Sequence, residues 1–143
     1  MLKQILAAGL VATLSLGALA EPALRTTTVK VGPHPLKVEV VANDADRSRG
    51  LMHRKSMGRN DGMLFIFDEP GYHSMWMKNT LIPLSVAFVD AQGTILNVLD
   101  MEPQTEDVHM SAGPAVYAIE TNKGWFADKK VKAGDKVTGI PKK

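Results

Sequence analysis

Short segments in which apolar and polar residues alternate recur along the chain, and this period of two is typical of β-strands with one buried face. The clearest segment spans residues 36–42, where Leu36, Val38 and Val40 alternate with charged neighbours. A second such segment, 28–32, precedes it, and the Gly-Pro-His-Pro sequence between them has backbone preferences that suit a turn. The pattern therefore predicts a first β-hairpin.

Other apolar runs are continuous, which is typical of strands that are buried on both faces. Residues 84–89 and 94–101 form two such runs on either side of the turn sequence Asp-Ala-Gln-Gly, and we predict a second hairpin there. Strands with two apolar faces suit a curled sheet or a small barrel better than an open sheet. Further strands are predicted at 63–67, 73–79, 116–121 and 136–140.

The segment 73–79 contains Trp76 between two methionines and ends in an amide-bearing residue. We predict a strand here, and we expect the sheets to wrap around Trp76 so that its ring lies in the core. Pleating would place every second side chain on one face, the set His73, Met75, Met77 and Asn79.

One stretch has helical rather than strand features. Asn43 or Asp44 can cap a helix through a side-chain oxygen, and Asp46 in the first turn is favoured by the helix dipole. We predict that this helix runs to about His53. Its arginines could clamp an anion, or their stems could pack on a sheet while their heads pair with carboxylates. Residues at positions i, i+4 and i+7 share one face of it: Arg47, Leu51 and Arg54.

Together these elements predict a mainly β, β-rich α+β fold in a single domain over residues 28–143. We expect a compact curled antiparallel sheet or a small, partly open barrel, with one short helix in the N-terminal half. A second helical turn is predicted at 124–126, with Asn122 as its cap. A chain of this length can bury one modest core.

The N-terminus has the features of a cleavable secretory signal peptide. Lys3 precedes an apolar run over residues 5–19, and small residues lead to a predicted cleavage site after Ala20. The run is short for a bilayer span, which needs roughly 20 residues, and an uncleaved membrane anchor is the alternative. We therefore predict a signal peptide at 1–20 and a leader at 21–27. The mature chain is expected to be periplasmic or secreted, without stable membrane insertion.

Composition narrows the function classes. The chain has 17 Lys and Arg against 15 Asp and Glu, a formal net charge of +2, so nothing indicates nucleic-acid binding. It has no cysteine, so burial and hydrogen bonds rather than disulfides must hold an exported fold together. The partners that remain are a small molecule or a component of the cell envelope.

Several motifs occur in a characteristic order: RSRGLMHR at 47–54, GMLFIF at 62–67, MWMKNTLIPL at 75–84, FVDAQGTI at 88–95 and KAGDKV at 132–137. This order resembles the domain of unknown function 192 family over nearly all of the mature chain. The resemblance implies a compact, mainly β domain with a short helix, often exported, and no established activity. Ser85 departs from the family pattern, which often has an acidic residue after Ile-Pro-Leu.

The most informative polar residue is Glu120, which lies in the otherwise apolar strand predicted at 116–121. A buried carboxylate needs a cationic partner, so one interpretation is an ion pair that fixes how helix and sheet dock. The other is a polar pocket that holds a small ligand. The favoured function is an exported, non-enzymatic accessory or small-ligand-binding domain without a cofactor. Its candidate ligand-binding residues are Arg47, Arg54, Lys78, Asn79 and Glu120.

Two alternative functions stay open. Thioether and imidazole groups are ligands that suit Cu(I), so the first alternative is a periplasmic copper-binding protein, although methionine is also a common filler of irregular cores. Its candidate ligands are His73, Met75 and Met77. The second alternative is an envelope-acting enzyme that uses Glu120 and Lys78, but no serine or cysteine nucleophile motif supports it.

Overall fold

A computed structural model describes Ala12 and residues 23–143 of this protein. Apart from Ala12, the predicted signal peptide at 1–20 lies outside the described residues. Within the part of the chain that is described, no helix is long and apolar enough to cross a membrane.

The described residues form nine strands and two short helices. In chain order these are β1 (Thr26–Val31), β2 (His34–Val41), α1 (Asp44–Arg49), β3 (Asp61–Gly71), β4 (Ser74–Met75), β5 (Leu84–Val89), β6 (Ile95–Met101), β7 (His109–Met110), β8 (Ala115–Asn122), α2 (Trp125–Asp128) and β9 (Val137–Thr138). The two predicted hairpins are confirmed as β1–β2 and β5–β6.

Seven strands form one curled sheet in the order β6-β5-β8-β3-β2-β1-β9, while β4 and β7 pair separately. All neighbours in the large sheet are antiparallel except β2 and β3, which are parallel because the chain crosses over through α1 between them. The two edge strands approach each other at one end. A bridge joins Thr94 to Lys136, and the Ile95 N–H donates to the Asp135 carbonyl at 2.9 Å. The predicted mainly β fold is thus confirmed as a half-barrel with two short helices.

The strands at the centre of the sheet are apolar on both sides because each side covers a separate core. On β3, Leu64 and Ile66 belong to the first core cluster of buried residues, while Met63 and Phe65 belong to the second core cluster. Every residue of β5 is buried, as its continuous apolar sequence predicts. The second cluster lies on the face of the sheet that also carries the candidate site described below.

The predicted extent of the first helix is wrong. Asn43 does cap α1, since its side-chain oxygen accepts from the Asp46 N–H at 2.9 Å, but the helix ends at Arg49 rather than near His53. Gly50 ends it with a φ of 47°, a conformation that glycine adopts without the steric cost other residues incur. Arg54 therefore lies beyond the helix and does not share a helical face with Arg47.

The strand predicted at 73–79 is also wrong in extent. Only Ser74–Met75 is a strand, and the chain then turns so that the Thr80 N–H donates to the Met77 carbonyl at 3.1 Å, with Asn79 at a φ of 52°. Met77 is fully buried, but the predicted core position of Trp76 is wrong, because 46% of its surface is exposed.

The tryptophan that does lie in the core is Trp125, in α2, which confirms the predicted second helical turn. Its predicted cap is wrong. Gly124 stands at the cap position without a side-chain hydrogen bond. The Asn122 amide instead donates to the carbonyls of Met57 and Gly58, at 3.0 and 3.1 Å, and ties the loop before β3 to the end of β8.

Candidate ligand-binding site

A cavity of about 230 Å³ lies between α1, the turn that follows it, β3 and the segment around β4. Residues 47–52 supply one part of its lining, Phe65 and Phe67 another, and residues 74–76 a third. Because Phe65 and Phe67 are two apart on a strand, they point to the same face of the sheet. The remaining described residues of the lining are Thr80 and Glu120.

Glu120 is the carboxyl group of this lining, and its position on β8 explains its burial. Its register neighbours are Met63 on β3 and Val86 on β5, both fully buried, so the side chain rises from an apolar surface. Only 4% of Glu120 is exposed. This burial raises the pKa of the carboxyl from 4.5 to about 8, because the charged form loses its hydration.

No ion pair or hydrogen bond satisfies the Glu120 side chain among the residues that the structure describes. The predicted helix–sheet ion pair is therefore wrong. Arg47 lines the same cavity, but its Nη1 donates to the Ile66 carbonyl at 2.8 Å. Its Nη2 donates to Asp44 and Asp68 at 2.6 and 3.0 Å, so two carboxylates already offset its charge.

The five predicted binding residues divide into two groups. Arg47 and Glu120 line the cavity together. Arg54 pairs with Glu39 at 2.6 Å and borders a different depression. Asn79 is an exposed turn residue, and the Lys78 Nζ lies over the ring of Trp76 at 5.2 Å from its centroid. Arg54, Lys78 and Asn79 are not among the described residues that line the cavity with Glu120.

The aromatic residues of the cavity are not identifiable as site residues from the sequence pattern. Phe65 and Phe67 were part of a predicted core strand, and Trp76 was expected inside the core. Their spacing could have indicated a shared face on β3, but only the tertiary structure brings Trp76 beside them. Phe67 also stacks on His73, with ring centroids 3.8 Å apart.

The three candidate copper ligands have different environments. The Nε2 of His73 is 2.8 Å from the Glu69 carbonyl, Met77 is fully buried in the second cluster, and Met75 lines the cavity. Within residues 23–143, no group of three or more His, Cys, Asp or Glu side chains is arranged to hold a metal ion.

Gly50 shapes the cavity, and Gly50→Ala is expected to lower the free energy of unfolding by about 1–3 kcal/mol. The residue has a φ of +47°, and an added Cβ would lie 3.3 Å from Cζ of Phe65, a cavity residue. Chemical denaturation measures the loss. The matched control is Gly32→Ala, which has a φ of +57° but no atom within 4 Å of the new Cβ. A loss at Gly50 no larger than at Gly32 would mean that Phe65 moves aside freely.

Two solved structures are among those to which the chain is similar. A "putative transcription regulator" from Sinorhizobium meliloti 1021 has a TM-score of 0.80 and 33% identity, over 82% of this chain and 96% of that one. A protein of unknown function from Novosphingobium aromaticivorans DSM 12444 has a TM-score of 0.77 and 32% identity, over 83% of this chain and 93% of that one. The comparison with curated proteins finds no significant match. The model of the domain of unknown function 192 family, described as "Uncharacterized ACR", matches residues 26–139.

Proposed function

Since the chain belongs to the domain of unknown function 192 family, whose description assigns no activity, we propose from the geometry of the cavity that this protein binds a small molecule. The observation that carries the proposal is the buried Glu120 carboxyl, which faces the cavity without a protein partner. A polar group in such a position costs folding free energy unless something hydrogen-bonds to it. A ligand that supplies this hydrogen bond would recover that cost.

The lining favours binding over catalysis. Acid–base chemistry commonly uses a titratable pair that converges on the reacting atoms. Among the described lining residues, Glu120 is accompanied by arginines, hydroxyl groups and apolar side chains, and Lys78 is not among them. The enzyme alternative with Glu120 and Lys78 therefore has little geometric support. Cu(I) binding through His73, Met75 and Met77 stays a prediction, which a Cu(I) competition titration of Met75→Ala and Met77→Ala would test.

We place this binding outside the cytoplasm, because the pattern of residues 1–20 is that of a secretory signal. The given sequence has no cysteine, so the proposed periplasmic or secreted domain would contain neither a disulfide nor a lipid-modified cysteine. Its ligand would then be a small molecule of that compartment or a fragment of the cell envelope.

The proposal is tested by a fragment screen with ligand-observed NMR, followed by calorimetric titration of the fragments that bind. We expect Glu120→Gln to weaken their affinity at least tenfold, which corresponds to about 1.4 kcal/mol. The matched control is Glu102→Gln, because Glu102 is an exposed carboxylate that pairs with Lys123 at 2.7 Å and is not among the described residues that line the cavity. The proposal fails if no fragment binds, or if every fragment binds the two variants equally.

A further inference from the structure

Resting on that proposed function, we propose that the ligand is a small organic cation: an ammonium or amidinium group on a compact apolar body. Its charged head would pair with the Glu120 carboxylate, and its body would lie against the rings of Phe65, Phe67 and Trp76. The inference follows from the charges, the aromatic surfaces and the size of the cavity.

Charge is the first argument. Among the described residues that line the cavity, the charged side chains besides Glu120 are Arg47 and Arg49, both from α1. The register neighbours of Glu120 on β3 and β5 are the apolar residues Met63 and Val86. Arg47 is already offset by two carboxylates, and Arg49 has an interaction of its own. Burial is the cause of the raised Glu120 pKa, and the Arg47 guanidinium pairs with Asp44 and Asp68 rather than with Glu120. A cationic ligand could therefore be the charge partner of this carboxylate.

The aromatic surfaces are the second argument. A cation within about 6 Å of a ring centroid is attracted by the negative face of the ring, and Trp is the strongest such partner. Trp76 already holds an ammonium group in this way, since the Lys78 Nζ lies 5.2 Å from its centroid. Trp76 also lines the cavity, and 46% of its surface is exposed. Phe67 is partly buried and, with the buried Phe65, also lines the cavity, and Met75 adds a polarizable thioether.

Size is the third argument. Pockets for drug-sized ligands have volumes of about 300–1,000 Å³, whereas this cavity has about 230 Å³. A drug-sized molecule or an oligopeptide would not fit inside it. A single charged head with one short or cyclic apolar substituent would.

The proposal makes a proton-linkage prediction. In the free protein the Glu120 carboxyl keeps its proton at neutral pH, so a cation can pair with it only after that proton has left. Binding of an amine that is itself fully charged should therefore release close to one proton at pH 7. Its affinity should rise up to tenfold per pH unit as the pH approaches 8 and then become constant. Neutral ligands need no such release, and anionic ligands would bind more tightly at low pH.

Titration calorimetry of the full protein with a matched set of probes tests this. Benzylamine, benzyl alcohol and benzoate share one ring and differ in charge, as do isobutylamine, isobutanol and isobutyrate. Titrations at pH 6, 7 and 8 in buffers of different ionisation enthalpy count the protons released. We expect the amines to bind at least tenfold more tightly at pH 8 than the matched alcohols and carboxylates. Amine binding should release a proton at pH 7, and this release should be abolished by Glu120→Gln and unchanged by Glu102→Gln. Trp76→Ala, at an exposed position, should weaken amine binding at least threefold in a folded protein.

The outcomes separate this inference from the proposed function. If the alcohols or carboxylates bind as well as the amines and still depend on Glu120, the ligand-binding function stands and the cation is wrong. If the amines bind without proton release, or equally to Glu120→Gln, the pairing with this carboxyl is wrong. If no probe binds and the fragment screen also finds nothing, both proposals fail together.

Discussion

Glu120→Gln is expected to raise the free energy of unfolding at pH 7 by about 3 kcal/mol and to remove much of its dependence on pH. The unfolded chain loses the Glu120 proton near pH 4.5, whereas the folded protein keeps it until about pH 8. Between these values each pH unit favours the unfolded state by about 1.4 kcal/mol. Below pH 4.5 both states are protonated and the penalty vanishes. Above pH 8 both are ionised and the penalty is constant.

Urea denaturation of the wild type and the variant at pH 4.5, 6, 7 and 8 measures this effect. The informative quantity is the difference between the two proteins, because other carboxylates affect both alike. We expect that difference to grow from pH 4.5 to pH 8, whereas Glu102→Gln should follow the wild type. Parallel curves for wild type and Glu120→Gln would show that the carboxyl ionises in the folded protein at its ordinary pKa.

A buried carboxyl that destabilises its own fold is informative about function. A single substitution to glutamine would remove this cost in stability. Stabilising substitutions commonly reduce function where they alter a functional site. Glu120 lies between Met63 and Val86, where an apolar residue would complete the second core cluster. Local rules of folding are most often broken at functional sites. The position of Glu120 therefore supports the proposed ligand-binding function.

The sequence was sufficient where structure depends on residues that are close along the chain. The hairpins β1–β2 and β5–β6 each join two apolar segments through a short turn, so strand periodicity and turn chemistry together specify the pairing. The parallel pairing of β2 with β3 has no such local signal. It depends on how α1 packs across the sheet.

The candidate site could be predicted only in part, for a similar reason. Glu120 was identifiable because a carboxyl inside an apolar strand is unusual. The sequence predicts Lys78 as a site residue because a buried Glu120 needs a cationic partner and the Met-Trp-Met-Lys-Asn-Thr segment is expected to form a strand that presents Lys78. In the structure Asn79 turns the chain at a φ of 52°, so Lys78 folds back over Trp76 instead. A positive φ at a non-glycine residue is rarely visible in a sequence.

The two tryptophans provide the second large expected effect. Trp125→Ala should lower the free energy of unfolding by about 3–5 kcal/mol, as truncation of a large buried side chain does. Trp125 is 4% exposed, packs edge-on against Phe126 with ring centroids 5.3 Å apart, and donates from Nε1 to Oδ1 of Asn60 at 3.1 Å. The substitution would create a cavity in the first core cluster and would leave the Asn60 side chain without this donor. Chemical denaturation at pH 7 measures the loss.

Trp76→Ala is the matched control, because it removes the same side chain from a position that is 46% exposed. Its expected loss is clearly smaller than that of Trp125→Ala, since nearly half of the Trp76 surface is already exposed, and part of the loss is the cation–π contact with Lys78. The effects on ligand binding should be in the opposite order. Trp76→Ala should reduce the affinity for amines, whereas Trp125→Ala, where it folds, should not. Equal losses of stability would mean that Trp76 packs in the core in solution. Its ring would then be unavailable at the cavity, and the surface that attracts a cation would have to come from Phe65 and Phe67.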